Sequence, residues 1–264
     1  MESQKGLRLV EKTVEVLNLL AERDEMTIAE LAEETGEPRS SLYRLLRRLE
    51  QMELVEPSGT RGYFRLGTHL LRWGAAAQSG MNVRKRALPP MDHMRRQTGL
   101  TVYLVVRRGW HAVCVERLEG HRVSSLVLQL GGWLPLHTGA APRALMAFEP
   151  RDFWESYVAN NTLDAMTDRT PVTAESLYEL LAAEQSQGYC VSDGQVTNGI
   201  ASLGAPILDH QGKVLAAVSV SGLRDEVVGE DHVENIRKLV TEGADAISRA
   251  MGGTGVASGP VAAT

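Results

Sequence analysis

TIAELAEETGEPRSSLYRLLRRLEQ, residues 27–51, decides the fold of the N-terminal third. Thr27 is followed three residues later by Glu30, the spacing of a capping box, in which two side chains satisfy orphan N–H groups at a helix start. A short helix follows, with Ile28, Leu31 and Ala32 facing inward. Thr35-Gly36-Glu37 makes a turn in which Gly36 is the natural helix stop. Pro38 suits the first turn of the next helix, since it has no N–H to leave unpaired. That helix runs to about Gln51 with Leu42, Leu45, Leu46 and Leu49 on one side.

Working outward, Leu7, Val10, Val14, Leu17 and Leu20 mark the inner face of a preceding helix. Downstream, Leu54-Val55-Glu56 and Tyr63-Phe64-Arg65-Leu66 flank a Gly-rich loop and read as a hairpin. Three helices and a hairpin make a winged helix-turn-helix.

The outward side of the third helix carries Arg39, Ser40, Ser41, Tyr43, Arg44, Arg47 and Arg48. From Pro38 to Arg65 there are six basic residues against three acidic ones, whereas residues 1–37 hold four basic and ten acidic. The chain as a whole has a net charge of -5, so positive charge is concentrated in this element. A recognition helix needs that chemistry: arginine pairs bidentately with guanine in the major groove, and hydroxyls meet base edges or phosphates. Arg39, Ser40, Ser41 and Arg44 are therefore expected to read or flank bases, and Tyr43, Arg47 and Arg61 to touch the DNA backbone. The alternative for Arg47 and Arg48 is a solvated face balanced by Glu50.

The 264 residues, 43% of them hydrophobic, suffice for two domains. No stretch is long and apolar enough to span a bilayer, and the start has no signal-peptide pattern, so the expected location is cytoplasmic. Two distant cysteines, Cys114 and Cys190, suggest neither a disulfide framework nor a zinc site, and no metal or cofactor is expected.

Beyond a connecting helix at 68–81 and a possible hinge at Gly80-Met81-Asn82, the pattern mixes strands and helices. Strands are expected at 100–106, 111–118, 125–130, 203–208 and 214–221. Helices are expected before Gly99, at 142–148, 151–159 and 174–187, and from about 231 to 251. The fold class is α+β, an antiparallel sheet with flanking helices following the winged domain. The expected division is 1–67 winged helix-turn-helix, 68–82 linker helix, 83–251 effector-binding and oligomerisation domain, and 252–264 disordered tail. The linker's Leu70, Leu71, Trp73 and alanines either pair two winged domains or pack within one subunit.

The chain resembles the IclR family of bacterial regulators. At the N-terminus the match is Thr27-Ile-Ala-Glu-Leu-Ala, Pro38-Arg-Ser-Ser-Leu-Tyr-Arg-Leu-Leu and Tyr63-Phe-Arg-Leu-Gly67. More specific are Leu136-His-Thr-Gly-Ala-Ala-Pro-Arg-Ala-Leu145, Gly188-Tyr-Cys-Val-Ser-Asp-Gly-Gln195, Gly199-Ile-Ala-Ser-Leu-Gly-Ala-Pro-Ile207 and Ala216-Ala-Val-Ser-Val-Ser-Gly222. This chain has Pro142-Arg143 where the family usually has Gly-Lys, Gln195 where it usually has Glu, and Leu208 where an aromatic or His is usual.

The resemblance implies a GAF/PAS-like domain binding a small organic molecule, often a carboxylate. It implies a pocket wall of Ala140, Ala141, Ser192, Ser202, Ser219 and Ser221. Independently, period-2 alternation puts Ser219 and Ser221 on one strand face, between the apolar Val218, Val220 and Leu223. Hydroxyls and N–H groups at the helix start near Pro142 suit an anion. The alternative is that the two serines satisfy each other or face outward. Trp110 and Trp133 are candidates for the pocket mouth or for packing. Arg143 either pairs with a ligand carboxylate or points to solvent. The resemblance further implies dimers or dimers of dimers on a pseudo-palindromic operator in double-stranded DNA, with repression favoured over activation.

A non-DNA-binding ligand-sensing interaction protein is the second reading, and the arginine-rich helix argues against it. A serine hydrolase needs a positioned base and shows no Gly-x-Ser-x-Gly elbow. His137 takes a loop-shaping role from the resemblance.

Overall fold

The computed structural model describes residues 2–79, 82–121, 128–253 and 255. The chain forms two compact units, Met1–Gly80 and Met81–Thr264. The expected hinge at 80–81 and almost all of the expected tail lie outside the described residues, as do residues 125–127 of one expected strand.

In the first unit, α1 (Glu2–Glu22), α2 (Ile28–Thr35) and α3 (Arg39–Gln51) pack together, with β1 (Met26–Thr27), β2 (Val55–Pro57) and β3 (Tyr63–Leu66) forming the wing. The strand order is β1-β3-β2, so the wing has one strand more than the hairpin pattern suggests. Thr27 caps α2 with the reciprocal Glu30 bond, and Gly36 ends it in the left-handed region at φ 66°. The core consists of Val16, Leu20, Met26, Leu31, the four leucines of α3, Leu54 and Val55.

The expected face of α1 is corrected. Val16 and Leu20 are buried, while Val10 and Val14 are 62% and 51% exposed. Two residues on is roughly 200° around a helix, so burying Val16 turns Val14 outward. α4 (His69–Ser79) follows the wing. Its Leu70 packs on the winged core, and Leu71 and Trp73 are exposed.

The second unit is a six-stranded antiparallel sheet between two helical layers, in the order β6-β5-β4-β9-β8-β7. Its strands are β4 (Thr101–Arg108), β5 (His111–Leu118), β6 (Trp133–Pro135), β7 (Cys190–Asp193), β8 (Ile200–Leu208) and β9 (Val214–Leu223). One face packs on α5 (Asn82–Thr98) and α10 (Val233–Ala250) through residues such as Met91, Leu104, Val218, Val220 and Ile247. The other packs on α6 (Ala140–Ala147), α7 (Arg151–Asn160) and α8 (Ala174–Gln187) through Tyr103, Val105, Leu145, Trp154 and Leu181. A short helix, α9 (Arg224–Val228), follows β9.

Three expectations change here. Residues Leu128–Leu130 form no strand, and β6 lies a few residues later at Trp133–Pro135. The short β7 and α9 carry no long periodic signal and were not expected. Val218 and Val220 do not flank the two serines on their face: alternation sends them to the α5/α10 side. Leu223 is half exposed.

Candidate functional site

The N-terminal unit presents a basic helix. Packing of Leu42, Leu45, Leu46 and Leu49 inward leaves Arg39, Ser40, Tyr43, Arg44, Arg47 and Arg48 exposed, with Ser41 half-buried. Arg61 is exposed on the wing. Among the described residues, Arg39, Arg44 and Arg61 enter no ion pair. Arg47 instead meets Glu50 at 3.1 Å, and its guanidinium lies 5.7 Å from the Tyr43 ring centre. The helix therefore offers Arg39, Arg44 and Arg48 as cations outside any ion pair among the described residues, the wing adds Arg61, and Arg47 is partly neutralised by its neighbour.

The C-terminal unit holds a cavity of about 60 Å³, room for a few waters or a small organic molecule. Ala140, Ala141, Ser192, Ser202, Ser219 and Ser221 all line it, brought together from four elements, α6, β7, β8 and β9. Strand register explains the convergence. Ser192 pairs with Ser202 across β7 and β8, and Ser202 pairs with Ser221 across β8 and β9. One row of the sheet is thus serine on three adjacent strands. The next row pairs Gly204 with Ser219 and Ser219 with Tyr103.

Two glycines set the roof. Gly139, at φ 77°, turns the chain into α6 and supplies no capping side chain. Gly204 faces that helix start, and a Cβ there would stand 3.0 Å from the Ala141 nitrogen. Its bare backbone lets the first turn of α6 lie on the sheet. The Ala140 N–H reaches Ser202 Oγ at 3.4 Å, and Ser221 Oγ donates to the Ala201 carbonyl at 3.2 Å. Ser192 and Ser219 are buried without a hydroxyl partner among the described residues.

The loop after β7 closes one side with Val196 and Thr197. It is held at several points. Thr167 and Thr170 donate to the Gly194 and Gln195 carbonyls, each at 2.7 Å. Arg169 and Arg224 bracket Asp193 at 3.0 and 2.9 Å.

Arg143 neither points to solvent nor lines the cavity. It is fully buried and forms a bidentate pair with buried Glu184, Nε to Oε2 at 2.9 Å and Nη2 to Oε1 at 2.7 Å. It also donates to the Val191 carbonyl and to the Gln195 side-chain oxygen. With Glu184 already balancing the charge, an uncharged amide at 195 suffices. Glu184 was not singled out in the sequence. Its signal was there: it continues the buried Leu177, Leu181 stripe of α8, and a charge on an apolar stripe demands a buried partner. Of the two alternatives for the tryptophans, neither residue lines the cavity. Trp133 is exposed against His111, and Trp110 packs on Phe153 and Tyr157.

His137 is buried, with Nε2 3.1 Å from the Asp164 carbonyl and Nδ1 2.8 Å from the Tyr157 hydroxyl. A carbonyl only accepts, so Nε2 carries the proton and Nδ1 accepts from Tyr157. Burial pushes the His137 pKa below its usual value, and burial pushes the Tyr157 hydroxyl up to about 12. The unfolded chain then binds a proton near pH 6.5 that the folded site resists. Stability of this unit is expected to be fully present above that pH and to decline below it. Urea unfolding at pH 7.5 and 5.5 should show a smaller pH loss for His137→Gln than for wild type. Equal losses would assign the dependence elsewhere.

A basic helix in a winged helix-turn-helix and a serine-bearing cavity over an antiparallel sheet are two halves of one known arrangement. Residues 9–59 match the profile described as IclR helix-turn-helix domain, and residues 75–249 that described as bacterial transcriptional regulator IclR C-terminal. The chain belongs to the IclR family. It is 31% identical over 247 residues to the HTH-type transcriptional regulator KipR of Bacillus subtilis, covering 94% of this chain and 98% of that one. It is 26% identical to the transcriptional repressor IclR of Escherichia coli, covering 94% and 89%. The crystal structure of an IclR transcriptional regulator from Alicyclobacillus acidocaldarius superposes with a TM-score of 0.80 at 26% identity, over 93% and 99% of the two chains. This IclR-family chain is a DNA-binding transcriptional regulator with an effector-binding domain, and not an enzyme. Among the described residues no helix is long and apolar enough to cross a membrane.

Proposed function

We propose that this IclR-family chain is a repressor released or enforced by a small organic acid bound in the cavity of its C-terminal unit. The observation that carries the reading is the convergence of Ala140, Ala141, Ser192, Ser202, Ser219 and Ser221 on one cavity. Among the described residues the lining includes no carboxylate. It includes serine hydroxyls and the first N–H groups of α6, which suit an anion. Repression is supported by the function named for the E. coli relative.

On the DNA side, Arg39, Ser40, Ser41 and Arg44 read or flank bases, and Tyr43, Arg47 and Arg61 hold the backbone. Arg47 is the weakest of these, because Glu50 already engages it. The exposed Leu71 and Trp73 of α4 are consistent with pairing in a homodimer or tetramer, which calls for a pseudo-palindromic operator. The division into a reading domain over 1–67, a linker over 68–82 and a sensing domain over 83–251 belongs to the same reading.

The test is a fluorescence-anisotropy titration against DNA upstream of the protein's own gene, at fixed salt, with and without small organic acids. Sequence-selective binding that one acid alters supports the reading, and binding that no acid alters sinks the acid effector. In the same assay Arg44→Ala should cost about 1–3 kcal/mol and relax specificity at one position. Unchanged affinity would remove Arg44 from the reading surface.

A further inference from the structure

Among the described residues, the cavity lining holds hydroxyls and backbone donors but no cation. One cation lies close by. Arg117 on β5 pairs in register with Tyr103 on β4, which itself pairs with Ser219 on β9. Directly opposed residues share a face, so Arg117, Tyr103 and Ser219 all point to the cavity side. Tyr103 lines the cavity, and so does Leu134 of β6 on the other side of β5. The Arg117 guanidinium carbon lies 5.8 Å from the Tyr103 ring centre.

Arg117 is also poorly satisfied. Its side chain is only 7% exposed, and its Nε and Nη2 are buried without a hydrogen-bond partner. Glu119 comes within 3.2 Å of Nη2, but it is two-thirds exposed and out of line for a hydrogen bond. The neighbouring Glu116 does not serve the guanidinium. It takes the opposite face of the strand, where Arg84 meets it at 2.6 Å. A buried arginine with orphan donors costs stability, and a guanidinium fork matches a carboxylate better than any other side chain does.

The geometry points to Arg117 as the residue that selects acids over neutral molecules in the cavity, its two orphan N–H groups taking the effector's carboxylate. This rests on the acid-effector reading and goes beyond it. The hydroxyls and α6 recognise shape and polarity, and Arg117 recognises charge.

The test uses full-length wild type, Arg117→Gln and Arg117→Lys with three acid–amide pairs: lactate and lactamide, succinate and succinamide, 4-hydroxybenzoate and 4-hydroxybenzamide. Calorimetric titration gives affinities, and thermal melts give Tm without ligand. Wild type should prefer an acid over its amide at least tenfold. Arg117→Gln should lose that preference while keeping the amide's affinity, and Arg117→Lys should keep the preference with weaker binding. Without ligand, the Tm of Arg117→Gln should equal or exceed that of wild type, because orphan donors have been removed.

A wild-type acid preference that survives Arg117→Gln would overturn the proposal and leave the acid-effector reading intact. An Arg117→Gln chain that melts well below wild type would make the residue structural and overturn it too. Wild type binding none of the acids, or favouring the amides, would overturn both.

Discussion

Glu184→Ala should destabilise the C-terminal unit by about 3–5 kcal/mol, enough to remove much of the stability of an ordinary domain. The reason is the charge left behind. Arg143 has no exposure, and Glu184 supplies three of its hydrogen bonds as well as its counter-charge. Burial alone favours the neutral guanidine, but the adjacent carboxylate outweighs it and holds Arg143 charged. Without Glu184 the cation keeps only the Val191 carbonyl and the Gln195 amide oxygen. Glu184 also accepts from the Val191 N–H at 3.1 Å, so β7, which carries Ser192, loses an anchor. Urea unfolding of wild type and variant measures the loss. The double replacement Arg143→Met with Glu184→Leu should recover most of it, since apolar groups of similar size often replace a buried pair without penalty. Equal stability of Glu184→Ala and wild type would show that the pair is not closed in solution.

Gly67→Ala should cost the N-terminal unit about 3 kcal/mol, the upper end of what added volume costs in a packed site. A Cβ at this position would stand 2.1 Å from the Glu53 carbonyl oxygen and 2.7 Å from its carbon. Both belong to backbone, so no side-chain rotation relieves the clash. Gly67 is meanwhile tied in place by its N–H bond to the Leu54 carbonyl at 2.9 Å. The methyl group therefore pries the end of β3 away from the segment joining α3 to β2. A unit of this size holds little stability in reserve. Its melting transition should fall by roughly 12 °C or more, and operator binding should weaken with it. The C-terminal transition should not move. An unshifted N-terminal transition would mean that the wing flexes to admit the methyl.

The winged half was legible because its signals are local. The Thr27–Glu30 cap, the left-handed Gly36 and the leucine stripe of α3 each act within a few residues, and each appears as expected. The exposed basic face followed from that stripe, since burying four leucines leaves the arginines outside. The serines of the cavity were legible in part, through period-2 alternation and family resemblance. Their convergence was not, because it depends on which strands become neighbours and on Gly204 admitting the first turn of α6.

What sequence alone determined is the kind and order of the longer helices and strands and the side of α3 that carries charge, since helix and strand periods are properties of the local chain, whereas short elements such as β1, β7 and α9 carry too few residues to show one. Only the tertiary structure decided which side of α1 is buried, that Arg143 meets Glu184 rather than solvent, and that Arg117 lies beside Tyr103 with donors to spare. Those outcomes join residues tens of positions apart. Whether a charge ends up paired, orphaned or hydrated depends on what the rest of the fold brings next to it.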